Sequence, residues 1–399
     1  MSTITFKESF KFMTGNSQSQ RWVTEDVLDL SHNKVMSEKI DPEDVYTLDL
    51  SDNDTITGEE LVAKFPEIVA LILHNNVVIK GEHLRKIPKL SYLDLSNNDT
   101  ITDEDLLSLP NLTLLILSHN EVITDNGLSN FTILMLDLSH NKKITGRFNS
   151  NLQIQALNLA HNDMITDDVL LNLRKDIGSL WFNRLCFLGL DYNNTITGKA
   201  FEFTKEKLSI GGGLCSLSLV GNPNIHDNTL AKCINLQWLI LAHNRVITNA
   251  GLKFVKKLKL LDLSYNEVIT DDGLTLGLSS NVSVPISRND LMQLNLTGNK
   301  KITNHGLRHT LHLKSLILEN NNQINEPQRV KDLFKLRYSN LLAANINHRN
   351  LRNASIEDII EKCLPEMTFA INEDRALIPK SEIPSLVESQ TRQLLLKWK

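Results

Sequence analysis

The sequence predicts an α/β fold, a horseshoe-shaped solenoid. Its concave side is a parallel β-sheet, its convex side carries short helices, and its C-terminal end is a helical cap or small domain. Three observations predict it. The phrase Leu-x-x-Leu-x-Leu-x-x-Asn recurs thirteen times, ending at Asn33, Asn53, Asn76, Asn98, Asn120, Asn141, Asn162, Asn193, Asn222, Asn244, Asn266, Asn299 and Asn321. All but three of the steps between these asparagines are 20–23 residues, and self-similarity at such a period marks stacked units that pack on their neighbours. An Ile-Thr-Asp phrase follows many of the asparagines, as at Ile101, Ile123, Ile165 and Ile269.

Residues 1–24 lack the phrase but contain Phe6, Phe10, Phe12 and Trp22. They read as an N-terminal cap closing the apolar end that a terminal repeat exposes. Residues 25–325 are the array. In each phrase the Leu-x-Leu pair has the period of two that places both leucines on one side of a short strand. Successive strands then stack about 4.8 Å apart. The asparagine, with two donors and an acceptor, satisfies backbone groups of its own and the next turn. The isoleucine is a second inward anchor, and the Thr or Asp after it caps a short helix, as in Thr124–Leu128 and Thr270–Leu274.

Three repeats are longer, with extra residues within 163–192, 194–221 and 267–298. They carry Trp181 and Phe182, the run Gly211-Gly212-Gly213, and the segment GLSSNVSVPISRND. These read as surface loops, either tolerated insertions or additional binding surface. After about Glu326 the phrase stops. Residues 329–345 have helical spacing, Ser355 caps a second candidate helix, and 381–399 form a third. Region 326–399 is therefore read as helical.

The formal charge is −5 and the isoelectric point about 6.2. Charged residues are interspersed without a block of like charge, which argues against a broad nucleic-acid or membrane-binding face. No apolar run approaches the ~18 residues of a spanning helix, and no secretory signal pattern opens the chain. Four cysteines do not make a disulfide framework, so Cys186 and Cys215, at the same letter of adjacent phrases, are expected as thiols in a reducing compartment. The Gly211–Gly213 run lacks the Lys-Ser/Thr of a phosphate loop, and no serine-hydrolase or zinc-protease motif occurs. The chain is read as a non-enzymatic monomer without cofactor or metal.

The repeats resemble the leucine-rich-repeat superfamily over about residues 25–325. The Ile-Thr-Asp-x-Gly-Leu phrases at Ile123–Leu128 and Ile269–Leu274 are similar to those of F-box proteins, although asparagine stands where that subtype usually carries cysteine. The 22-residue step with asparagine resembles internalin-like repeats. The mixture resembles effectors that intracellular bacteria deliver into host cells. The resemblance implies a protein-binding module, cytoplasmic or exported to a host cell without a cleavable signal peptide. An alternative is a substrate-recognition array serving an activity or ubiquitin-pathway adaptor role in 326–399. No F-box is evident, and Cys363 in EKCLPEM does not match the nucleophile motif of bacterial ubiquitin ligases.

Counting the asparagine as letter nine, letters three, five, seven and eight are expected on the concave face. Letter three supplies Tyr92, Leu114, Met135, Phe187 and Trp238. Large apolar groups exposed there imply a partner surface, with strand propensity of aromatics as the plain alternative. Letter five supplies an acidic stripe including Asp94 and Asp137, suited to a basic partner or simply a default of the phrase. Letter eight places His119, His140 and His161 on successive rungs. Two neighbouring imidazoles could share a zinc ion, but the third lies too far. The histidines are therefore assigned to the partner surface, where protonation between about pH 5 and 7 would make binding pH-dependent.

Overall fold

The computed structural model describes residues 27–34, 40–129, 133–147, 154–170, 185–201, 213–275, 291–307, 313, 315–324, 368–371 and 376–377. The N-terminal cap, the extra residues of the long repeats at 171–184, 202–212 and 276–290, and the three candidate C-terminal helices lie outside them. The chain divides into two units, residues 1–225 and 226–399.

In the first unit each phrase forms a three-residue strand: β1 (Val27–Asp29), β2 (Thr47–Asp49), β3 (Ala70–Ile72), β4 (Tyr92–Asp94), β5 (Leu114–Ile116), β6 (Met135–Asp137), β7 (Ala156–Asn158), β8 (Phe187–Gly189) and β9 (Ser216–Ser218). They pair in parallel in chain order. The register matches letter to letter: Tyr92 lies opposite Leu114, and Leu114 opposite Met135. The second unit contains β10 (Trp238–Ile240), β11 (Leu260–Asp262), β12 (Gln293–Asn295) and β13 (Ser315–Ile317). β10 to β13 continue the parallel pattern. β14 (Thr368–Ile371) then pairs parallel with β13, and β15 (Ala376–Leu377) antiparallel with β14. These last two strands fall in the region expected to be helical.

Alternation along each strand sends the middle leucine inward. Leu93, Leu115, Leu136 and Leu157 are fully buried, as are Leu95, Leu117, Leu138 and Leu159 one letter pair later. Burying each leucine contributes about 2 kcal/mol. The asparagines knit adjacent turns. The Asn98 side chain donates to the Asn76 carbonyl (2.7 Å) and the Leu73 carbonyl (3.3 Å) of the preceding repeat. Its Oδ1 accepts from the amides of Thr100 (3.1 Å) and Ile101 (3.3 Å). The asparagine thus reaches its own turn and, in place of the next turn expected from the sequence, the preceding one, because its amide group points back along the stack.

A second ladder runs through the short helices. Thr124 caps Asp125–Leu128, its hydroxyl accepting from the Asn126 amide. Its own amide and hydroxyl donate to the Asp103 carboxylate of the preceding repeat at 2.8 and 2.6 Å. Thr248 meets Asp227, and Thr303 meets Asp271, in the same way. This ladder explains the glycine of Ile-Thr-Asp-x-Gly-Leu. A Cβ on Gly127 would lie 2.5 Å from the Asp103 Oδ1, and one on Gly251 would lie 2.3 Å from the Asp227 Oδ1. Glycine is needed because the preceding repeat's carboxylate occupies that volume.

Candidate protein-binding face

The strand face opposite the leucine core carries letters three and five. In the first unit, Ala70, Tyr92, Met135, Ala156 and Phe187 form one apolar cluster with Ile116, and Ile72 and Leu114 pack against it. Tyr92 and Met135 are 2 % exposed and Phe187 is 4 % exposed. The expectation of exposed anchors is corrected for these three. Alternation fixes the side of the strand on which a residue lies, but not how closely its neighbours pack around it. Leu114 is half-buried. Trp238, on the second unit's sheet, is also half-buried.

The acidic stripe has a local structural role. Asp94 Oδ1 accepts from the Ser96 amide (3.0 Å) and hydroxyl (2.5 Å), and Asp49 does the same with Ser51. Each such carboxylate ends its strand in a side-chain turn, a favoured use of aspartate. Asp94 and Asp137 are buried, which corrects their reading as exposed acids. Asp137 accepts from the Ser139 amide at 2.9 Å and from the Asn158 side chain at 3.1 Å. Burial raises its pKa above the ordinary carboxylate value, opposed by the Ser139 and Asn158 hydrogen bonds and aided by Asp94.

The eighth letter lies in the turn after each strand. His119, His140, His161 and Tyr192 have φ of +54°, +56°, +52° and +49°. Asn, Asp, His and Gly recur at this letter because they enter the left-handed region most readily. The rings stack: His119 on His140 with centroids 4.0 Å apart, His140 on His161 at 4.2 Å, and His161 on Tyr192 at 4.7 Å. In-plane lone pairs of parallel rings run parallel and do not converge on one ion. Among the described residues no group of three or more His, Cys, Asp and Glu is placed to hold a metal. His140 sits between two imidazoles and near Lys142. Desolvation first, and then these neighbours, lower its pKa to about 4. It is therefore neutral through the range expected for a pH switch. His119 and His161 remain exposed.

Cys186 and Cys215 are thiols in hydrogen-bonding contact, and that contact and burial push the Cys186 pKa upward. Burial pushes Cys233 up to about 12. Neither Cys186 nor Cys233 is an activated nucleophile.

A family model described as "Leucine Rich repeat" matches residues 86–109, 108–131 and 256–276. The chain carries leucine-rich repeats. Its leucine-rich-repeat strands and asparagine turns are those described above. Among solved structures, it is similar to a chain of the yeast Rad7–Elc1 complex at 15% identity. That match covers 70% of this chain and 77% of the other, with a TM-score of 0.49. It is also similar to an internalin (inlF) from Listeria monocytogenes str. 4b F2365 at 20% identity, covering 70% and 79%, with a TM-score of 0.41. No curated protein matches the chain.

Proposed function

We propose that this leucine-rich-repeat chain is a non-enzymatic protein-binding module whose first unit receives a partner on the strand face opposite the leucine core. One observation carries the reading. The fold needs one apolar row per strand, Leu93 and its equivalents, yet a second apolar row from Ala70 to Phe187 lies on the other face. Tyr92, Met135 and Phe187 form the floor of the site. Leu114, packed on that floor and partly accessible, is the apolar contact, and His119, His140 and His161 form its polar edge. Asp94 and Asp137 hold the strand ends in shape beside this floor. Trp238 is an anchor on the second unit's sheet. The thiol state of Cys186 and Cys215 suits a reducing compartment, cytoplasmic or, as the effector-like repeats suggest, the interior of a host cell.

The test compares Leu114→Glu/His161→Glu with the control Glu104→Lys, which lies on a short helix. Partners captured from lysate are identified, purified and titrated against each variant. The reading expects the strand-face variant to weaken binding at least tenfold with its melting temperature retained. Equal affinity for both variants would move the site elsewhere.

A further inference from the structure

Residues 228–261 contain six cations, Lys232, Arg245, Lys253, Lys256, Lys257 and Lys259, and no Asp or Glu, in a chain of net charge −5. Four of them, all lysines, lie on one return segment. Lys253–Lys259 return from the short helix Asn249–Leu252 to β11. Val255 and Leu258 point inward and are buried, leaving Lys253, Phe254, Lys256, Lys257 and Lys259 exposed. The preceding rung lies alongside, because Lys257 Nζ donates to Asn235 Oδ1 at 2.8 Å. Next to Asn235, Ile234 is 58 % exposed, and Phe254 is 45 % exposed. In the first unit comparable cations are neutralised: Arg85 pairs with Asp105 at 2.9 Å, and Lys89 pairs with Glu67. Lys253, Lys256, Lys257 and Lys259 make no ion pair among the described residues.

We propose that this edge of the second unit binds the surface of an anionic phospholipid bilayer. The composition selects that partner. All the clustered cations are lysines, compact point charges suited to a diffuse anionic surface, whereas arginine forks suit ordered carboxylate or phosphate recognition. The exposed apolar groups are one aromatic and one aliphatic side chain flanked by lysines, the pattern of an interfacial anchor. An aliphatic side chain gives a nucleic acid no stacking surface. Anchoring here is peripheral, since among the described residues no helix is long and apolar enough to cross a membrane. The surface lies within the second unit and stands independently of the strand-face reading.

The test is co-sedimentation of the full chain with phosphatidylcholine vesicles containing about 30 per cent phosphatidylserine, and with phosphatidylcholine alone. The proposal expects binding only to the anionic vesicles, weakened by salt as screening shortens the reach of the charges. Lys256→Gln/Lys259→Gln should bind about thirty-fold more weakly, at one elementary interfacial charge per lysine. Phe254→Ser should lose roughly tenfold on vesicles and nothing on heparin, a soluble polyanion without an apolar phase. All three positions are exposed, and unchanged thermal melting confirms folding. Absence of binding to anionic vesicles, or binding indifferent to the lysine pair, would overturn the proposal. Equal Phe254→Ser effects on vesicles and heparin, including none on either, would assign the surface to a soluble acidic partner instead.

Discussion

Gly127→Ala gives the sharpest probe of how the repeats are joined. On an isolated helix the change is favourable by about 0.5–1 kcal/mol. Here the new Cβ would stand 2.5 Å from Asp103 Oδ1 and 3.2 Å from the Asp103 Cα. The carboxylate must move, and with it go its bonds to the Thr124 amide and hydroxyl at 2.8 and 2.6 Å. Hydrogen bonds to a charged acceptor are worth about 1.5–3 kcal/mol each. Asp103 is partly exposed, so solvent screening reduces the pair to about 2–3 kcal/mol together. The net expectation is destabilisation by about 1–2 kcal/mol. In an Asp103→Ala background the carboxylate is gone and only the 3.2 Å approach to Cα remains, so Gly127→Ala should cost clearly less than in the native background. Urea midpoints for the four proteins of this cycle measure the coupling. Amide exchange at Thr124, accelerated by Gly127→Ala, reports it locally. A stabilising Gly127→Ala in the native background, or the same cost in both backgrounds, would refute the steric account.

Three further outcomes follow from the same geometry. Asn98→Leu leaves the Asn76 carbonyl and the Thr100 and Ile101 amides without their buried partner. It should lower unfolding free energy by about 3–5 kcal/mol in denaturant titration. His140 has its folded pKa depressed to about 4 from 6.5, so its contribution is fully present above about pH 6.5 and is lost as pH falls toward 4. With solvent screening that loss is about 1.5 kcal/mol. His140→Asn, a residue the same letter holds at Asn75 and Asn97 with positive φ, should flatten the pH slope of the unfolding midpoint over that window. For Asp137 the sign is opposite. Its pKa is raised by burial, so the folded state loses stability as pH rises above the ordinary carboxylate value. Asp137→Asn should remove that loss and leave the neutral-pH midpoint equal or higher.

The repeat phrase made much of the fold legible. Leu93, Leu95, Asn98 and Ile101 are fixed by spacing alone, since a period of two and a constant step leave one arrangement for them. Other features depend on what stacking brings together. Tyr92 and Met135 were placed on the correct face, but their burial depends on packing across rungs. His119 is exposed as its letter implies, but the recurrence of Asn, His, Asp and Gly at that letter also signals a left-handed backbone. Asp103 and Gly127 are 24 residues apart in sequence and become one contact only when repeats superpose. Lys253–Lys259 escapes notice as a charge block because Phe254, Val255 and Leu258 interrupt it, and only packing shows that Val255 and Leu258 turn inward and leave the lysines outside. Strands β14 and β15 carry no repeat phrase and had no periodic signal.

The central claim, that the first unit's strand face receives a protein, is tested most directly by site-specific photocrosslinking. A photoreactive side chain is placed at Leu114 in one protein and at Glu104, exposed on a short helix, in another. The account predicts one protein species crosslinked from position 114 and not from 104. The same species from both positions, or from 104 alone, would contradict it.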